Sequence, residues 1–376
     1  MAIRTFELER IQSLYENTVD YNLTESGFHP FSLAELLTPA QLEEMQQLTL
    51  GYGQTNGSIP LRRRIATTLY KDLDEDSIMV TNGSSEANFL AMHTLLQKGD
   101  EVVVMNPNYM QIWGAIEEMG CIPKAFNLRS ENNWAPDMDE LRALVTHNTK
   151  MIIICNPNNP TGYVLTDEEM QEIVEIARGV DAWIYADEVY RGAELNYQET
   201  PSFQHIYEKV VVSAGLSKAY ALPGIRIGWL AGPKTEIYNT WSYHDYTSIS
   251  TGIVSQYVAE IALSEEVRPT ILKRNRDMLN KNVQILSQWI SDHGDLFKFI
   301  PPKAGGMAFM KYDIDINSTE LSTWLRKQES VFIVPGDCYG MDGHIRIGVG
   351  ERSVYLIEGL TKMSKAIKEK FNLSFE

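Results

Sequence analysis

KMIIICNPNNPTG (150–162), followed by TDEEMQEIVEIARG (166–179) and WIYADEVY (183–190), is the stretch that decides the fold. It runs from a short apolar segment through an Asn- and Pro-rich turn and a helical period into a second apolar segment. The same alternation precedes it in SIMVTNG (77–83), SEANFLAMHTLLQKG (85–99), DEVVVMNP (100–107) and YMQIWGAIEEMG (109–120). Strands of four to six residues alternating with helices make βαβ units, hence an α/β fold with a mostly parallel central sheet. In such a sheet the functional loops follow the carboxyl ends of the strands. VTNGSS, VVMNPNY, ICNPNNPTG, IYADEVY and VVSAGLSK each follow an apolar run and would converge on one edge.

Length and composition frame this reading. A chain of 376 residues suggests two or three structural units. Its 33 Lys and Arg against 50 Asp and Glu give a net charge of −17. Nucleic acid and anionic membrane surfaces carry the same sign and are excluded as default partners. With 44% hydrophobic and 22% charged residues, the disordered, collagen-like and disulfide-scaffold classes are excluded too. Cys121, Cys155 and Cys338 are widely spaced without a CxxC pair, so they read as buried thiols of a reducing compartment, and no metal site is expected. The first twenty residues mix charges throughout and show no secretory signal, and apolar runs such as 102–105 are far too short to span a bilayer. The expected location is the cytoplasm.

Toward the amino terminus, FELERIQSLYENTVDY (6–21) sets Leu8, Ile11, Tyr15 and Val19 at helical spacing and breaks at ESGFHP (25–30). It reads as an amphipathic helix. Residues 260–293 read as one long helix leading into a second unit, which ends in VFIVPGDCYG (331–340), HIRIGVG (344–350) and a final amphipathic helix. The glycines of GGMAF (305–309) and PGDCYG (335–340) read as turns with no chemistry. The division that follows is a large domain over 45–265 and a smaller α+β domain from 1–44 and 266–376.

Within SAGLSKAYALPGIRIGWLAG (213–232), Lys218 follows an apolar strand and stands eight residues before Arg226, among small residues that let backbone approach a ligand. A lysine with its ordinary pKa near 10.4 is almost entirely protonated at neutral pH. A nucleophilic lysine therefore needs its charge suppressed or its amine held as a Schiff base, which an aldehyde cofactor provides. An isolated lysine is more simply a solvated surface group. This one stands in an ordered series: Tyr52 in GYGQTNG, NGSSEA (82–87), PNY (107–109), NPNNPTG (156–162), ADEVY (186–190), Lys218, Arg226, and Arg346 in HIRIG.

In that series the chain resembles the class I/II aminotransferases, fold-type I enzymes that use pyridoxal 5′-phosphate (PLP). The resemblance runs over nearly the whole chain and implies a large cofactor domain, a smaller second domain and a homodimer with shared active sites. Gly83, Ser84 and Ser85 would open a helix after a strand, offering N–H groups to the cofactor phosphate, with Arg226 as the cation. By the same resemblance Asp187 holds the charge of the pyridine nitrogen, Asn159 and Tyr190 bond the ring's phenolic oxygen, Tyr109 stacks on the ring, and Lys218 carries it and shuttles the α-proton. Arg346 matches the arginine that clamps the substrate α-carboxylate, beside Asn159. Tyr52 matches the tyrosine that reaches the neighbouring subunit's phosphate. One departure stands out. Many members have Ser or Thr three residues before the lysine, whereas this chain has Gly215, with Ser213 and Ser217 on either side as candidate phosphate contacts.

Residues 6–37 resemble the arginine-handling branch of this superfamily, which includes capreomycidine synthase and oxygen-using arginine oxidases and hydroxylases. There the amino-terminal helix is a lid carrying acidic contacts. A guanidinium is planar, always charged and best met by carboxylates, and the region offers Glu16, Asp20 and Glu25. Glu16 and Glu25 are the expected guanidinium ligands. A solvated acidic helix face is the alternative in so acidic a chain. His29, with an ordinary pKa near 6.5, is the expected additional acid or base. The resemblance implies oxidation of L-arginine by molecular oxygen to a 2-oxo acid or its unsaturated or 4-hydroxylated relative. Conventional transamination onto a 2-oxo acid acceptor shares every cofactor residue. A non-catalytic relative would have lost Lys218 or Asp187, and both are present.

Overall fold

Thirteen strands organise residues 3–372, the part of the chain that the computed structural model describes. In chain order they are β1 (Tyr21–Asn22), β2 (Ile78–Thr81), β3 (Glu101–Asn106), β4 (Ile122–Asn127), β5 (Thr149–Cys155), β6 (Trp183–Asp187), β7 (Val210–Gly215), β8 (Gly228–Ala231), β9 (Phe297–Phe299), β10 (Met307–Tyr312), β11 (Val331–Phe332), β12 (Val334–Pro335) and β13 (His344–Gly348). Seven form the central sheet in the order β2-β8-β7-β6-β5-β3-β4. Pairings from β4 across to β7 are parallel, and β8 runs antiparallel between β7 and β2. The mostly parallel α/β sheet implied by the sequence is what forms.

Both faces of this sheet are covered, which explains strands that read as continuous apolar runs. Ile152, Ile154, Ile184 and Val212 belong to the core on one face. Met151, Ile153, Tyr185 and Val211 pack on the other with Leu90, Ile112 and Ile116 from the helices Ser84–Leu95 and Gln111–Glu118. The strand ends line up as expected, so the loops after β2, β3, β5, β6 and β7 share one edge.

A second, antiparallel sheet has the order β12-β13-β10-β9, and β1 pairs in parallel with β11 beside it. The amino-terminal segment is thereby joined to residues more than three hundred positions away. Its backbone continues along the second sheet: Gly348 N–H donates to Leu23 O at 2.8 Å, Gly306 N–H to Ser26 O at 3.1 Å and His29 N–H to Gly350 O at 2.8 Å. Glycine is required on the sheet side of this contact. A Cβ on Gly306, Gly348 or Gly350 would lie 2.1, 2.2 or 1.8 Å from a carbonyl oxygen of Gly27, Glu25 or Gly27. Gly306, expected to be only part of a turn, is a seat for the strap.

Two helices differ from the sequence reading. The first spans Glu7–Tyr15 and stops before Val19, where the Thr18 hydroxyl and N–H both turn back to Tyr15 O at 2.8 and 3.0 Å. Residues 260–293 are not one helix: Ile253–Ala262 ends, and a 24-residue helix, Arg268–Ser291, restarts with Pro269 in its first turn. Proline suits a first turn because it lacks the N–H that a helix start leaves unpaired.

Candidate active site

The shared strand edge, the helix Glu7–Tyr15 and the second sheet enclose a cavity of about 250 Å³. Twelve of the expected residues line it: Glu16, Glu25, Ser84, Ser85, Tyr109, Asn159, Asp187, Tyr190, Ser217, Lys218, Arg226 and Arg346. They come from both sheets and from the amino-terminal segment, so the cavity exists only when all three are in place.

At one end, helix Ser84–Leu95 starts directly after β2 with Gly83 as its N-cap at φ 80 and no side chain capping its first N–H groups. Open N–H groups at a helix start attract an anion. Arg226 closes this end from a left-handed backbone position, φ 52, and its Nη1 donates to Ser217 Oγ at 3.3 Å. A Cβ on Gly83 would lie 2.2 Å from Arg226 Nη2, and one on Gly228 would lie 2.4 Å from Ser84 N. Glycine at these positions keeps the cradle open. Gly215 belongs to the same packing: it is the register partner of Gly228, and a Cβ there would sit 3.0 Å from Ile227 O. The departure from Ser or Thr is thus matched by a tight approach of β7 and β8.

Asp187 ends β6 at the floor of the cavity, 3% exposed, with Val189 N–H donating to its Oδ1 at 3.2 Å. Burial pushes its carboxyl up to about 6 against the pull of that N–H and of Lys218. A buried acid without a cation in contact is what a protonated pyridine nitrogen would complete. Tyr190 donates to Ser26 Oγ at 2.9 Å, and Tyr109, met edge-on by Phe6, donates to Glu9 at 2.7 Å.

The opposite wall holds Arg346, 1% exposed. Its Nη1 donates to Tyr339 Oη at 2.6 Å and to Asn159 Oδ1 at 3.0 Å, and its Nη2 to Thr24 O at 2.6 Å. Its buried Nε has no partner among the described residues. Three carboxylates, Glu9, Glu16 and Glu25, line the same cavity. Burial raises the Glu16 carboxyl, and repulsion from Glu25 and Glu9 adds to the rise. Glu25 goes the other way. Although burial opposes it, the Lys218 ammonium, the Gly27 N–H and Arg346 hold its carboxyl down at about 2.

Three expectations need correcting. Glu25 was expected at the guanidinium; its Oε1 instead accepts from Lys218 Nζ at 2.8 Å. His29 does not line the cavity, because its Nδ1 is turned to Glu351 at 2.9 Å, so this geometry gives it no acid–base role there. Ser213 is the register partner of Asp187 and lies fully buried within the sheet, off the cavity wall. Tyr52, expected to serve the neighbouring subunit's site, is 85% exposed and stands outside its own chain's cavity. The sequence reading also missed Glu9, Gln12 and Tyr339. Glu9, Gln12 and Glu16 recur at helical spacing, a signal that could have found the first two; nothing in the sequence pointed to Tyr339 as the support of Arg346.

Residues 22–358 match the family model described as "Aminotransferase class I and II". The chain belongs to that family. Among curated relatives of this aminotransferase-family protein, capreomycidine synthase of Streptomyces vinaceus is 28% identical over 350 residues, covering 92% of this chain and 89% of that one. An aspartate aminotransferase of Pyrococcus horikoshii is 27% identical over 377 residues, covering 96% and 94%. A crystal structure described as a PLP-dependent aminotransferase from Streptococcus suis superposes with a TM-score of 0.92 at 33% identity, covering 98% of this chain and 99% of that one. The fold is therefore that of the fold-type I PLP enzymes and the cofactor is PLP, for which the open helix start, Arg226, the buried Asp187 and Lys218 are a fitting set. The match to capreomycidine synthase supports the resemblance to the arginine-handling branch.

Proposed function

We propose that this PLP-dependent enzyme acts on L-arginine and passes the substrate's electron pair to molecular oxygen, giving a 2-oxo acid or its unsaturated or 4-hydroxylated derivative. The observation that carries the arginine reading is the charge pattern of the cavity, whose lining holds an arginine with a free Nε donor together with the carboxylates of Glu9 and Glu16. An amino acid with a cationic side chain can meet both kinds of group. Arg346 would take the α-carboxylate through its fork, and Glu16 with Glu9 would take the guanidinium, which relieves their mutual repulsion.

When bound, PLP supplies an electron sink that acidifies the substrate Cα–H. The chain's own residues do the rest. Gly83, Ser84, Ser85, Ser217 and Arg226 would hold the phosphate, Asp187 the ring nitrogen's charge, and Tyr190, Asn159 and Tyr109 the ring's oxygen and face. Lys218 would move the proton at Cα. The helix Glu7–Tyr15 excludes water above the site while bringing Glu9 and Glu16 to the substrate.

A second reading, transamination onto a 2-oxo acid, is favoured by the aspartate aminotransferase relative. An oxygen-electrode assay with arginine, run beside an acceptor screen, decides between them. Arginine-dependent oxygen uptake supports the oxidase. Glutamate formed from 2-oxoglutarate without oxygen uptake replaces it with the aminotransferase.

The same reading places the enzyme in the cytoplasm as a homodimer divided at about 45 and 265. Tyr52 then reaches the neighbouring subunit's site, in keeping with its exposure beside Leu50, which is 81% exposed. Among the described residues no helix is long and apolar enough to cross a membrane.

A further inference from the structure

Trp134 occupies a backbone position that tryptophan avoids. It stands in the loop after β4, the edge strand of the central sheet, with φ 64, directly after Asn133 at φ 53. Left-handed backbone crowds the Cβ of a bulky side chain, so such a residue persists there only when its surroundings hold it. The Trp134 N–H donates to Arg129 O at 2.9 Å. Its indole is 2% exposed, although the Nε1–H has no partner among the described residues. The strained turn and the unmet donor both work against this placement. What the ring gains is contact with the second sheet. It lies 5.7 Å from Phe309 on β10 and 6.2 Å from His344 on β13, centre to centre.

Those two rings lead to Arg346. Phe309 is the register partner of Arg346, and His344 stands two residues before it on the same strand, so the three side chains share one face of the sheet. Phe309 and His344 stack at 5.1 Å, and Phe309 meets Tyr339 edge-on at 5.6 Å. Tyr339 Oη in turn accepts from Arg346 Nη1 at 2.6 Å. Trp134 is where the central sheet meets the ring cluster that supports the arginine.

We propose that Trp134 is a positioning residue for Arg346, a brace from the central sheet that sets where the fork for the substrate carboxylate stands. Asp187 and Lys218 are placed by β6 and β7 of the central sheet, whereas Arg346 belongs to the second sheet. A substrate amino acid must be gripped by both at a fixed separation. A close-packed aromatic cluster carries position from one sheet to the other because it has no slack. The proposal rests on the reading of Arg346 as the partner of the substrate carboxylate and is independent of the side chain that the substrate carries.

The test has two readouts. In the cofactor-free full chain, reaction of the arginines with phenylglyoxal is followed residue by residue by mass spectrometry. Trp134→Leu, with its folding checked by thermal unfolding, is expected to speed modification of Arg346 at least about fivefold, while Arg276, also buried, changes by less than about twofold. In the cofactor-loaded enzyme the same variant is expected to raise KM about tenfold for every amino acid that turns over, with kcat and the cofactor dissociation constant each within about threefold of wild type. Trp134→Phe keeps an aromatic ring against Phe309 and loses an unpartnered N–H, so it is expected to bring both readouts back to within about threefold of wild type. If Trp134→Leu does not fold, Phe309→Leu, which interrupts the same cluster at its middle, is expected to produce both changes. Wild-type modification of Arg346 in a folded variant overturns the proposal. So does a cofactor dissociation constant that rises as much as KM, which would make Trp134 a support of the whole site. Faster modification of Arg346 with unchanged KM upholds the brace and removes Arg346 from the substrate carboxylate instead.

Discussion

Asp187→Asn should stabilise the cofactor-free protein, although it removes the acid on which the cofactor depends. The carboxyl's midpoint moves from its ordinary 3.8 to about 6 because burial penalises the charged form. Folding therefore works against ionisation. Below the unfolded midpoint the acid is protonated in both states and costs nothing. As pH rises the unfolded chain gives up its proton first, and the penalty grows until the folded carboxyl has ionised as well, above about pH 6. Two pH units at about 1.4 kcal/mol each make a cost of about 3 kcal/mol at neutral pH. Asparagine keeps an acceptor for the Val189 N–H and carries no charge, so it escapes this cost. Urea unfolding of cofactor-free wild type and Asp187→Asn, measured from pH 4 to 8, should show the variant gaining up to about 3 kcal/mol at pH 7.5 and only about 0.5 kcal/mol at pH 4. Bound PLP should reverse the order, since the ring's positive nitrogen stabilises aspartate alone. A stability difference that does not change with pH, or a variant weaker than wild type at pH 7.5, would refute the claim that this carboxylate lacks a countercharge in the free protein.

Other outcomes follow from the same geometry. Lys218→Ala should remove the absorbance of covalently held cofactor and all turnover, checked by spectrum and assay together. Glu16→Gln should lower kcat/KM for arginine by roughly tenfold to a hundredfold, the value of one or two hydrogen bonds to a charged group, while an uncharged amino acid changes by less than about twofold. Equal losses for both would remove Glu16 from the guanidinium site. Arg346→Lys keeps the charge but loses the fork, and should cost on the order of a hundredfold in kcat/KM for every amino acid tested. Gly228→Ala would press a Cβ to 2.4 Å from Ser84 N. Its cofactor dissociation constant should rise by at least about tenfold, read by fluorescence titration, because the helix start must shift.

How much of this was legible in the sequence depended on whether a residue's role is local. Asp187, Asn159, Tyr190 and Lys218 sit at strand ends, and strand ends are visible as apolar runs with turns behind them. Their convergence follows from parallel topology alone. His29 and Glu25 belong to a strap whose path is set by three glycines near the other end of the chain, so no local pattern says which way its side chains turn. Glu25 looked like a free acid and proved to be bound; His29 looked like a free base and was turned to Glu351. Ser213 failed for another reason. It lies in register with Asp187 inside the sheet, two residues short of the strand's end. The long helix was overread because its charged and apolar spacing continues through Ser264–Val267, where the backbone restarts at a proline.

The pairing of β1 with β11 also sets an order of assembly. Ribosomes release the chain from its amino terminus at about 5–20 residues per second. Every residue that would hold the cofactor phosphate and ring, from Gly83 to Arg226, is therefore made before the sheet that carries Arg346. The strap emerges earlier still, yet its partners Gly306, Val331 and Gly348 come last, roughly fifteen to sixty seconds later. Leu23 and Phe28, each no more than 2% exposed in the finished fold, have no partner in the second sheet during that interval. A nascent chain can thus gather a cofactor cradle before it has a substrate pocket. The first stretch synthesised is among the last to dock, and its docking completes the site.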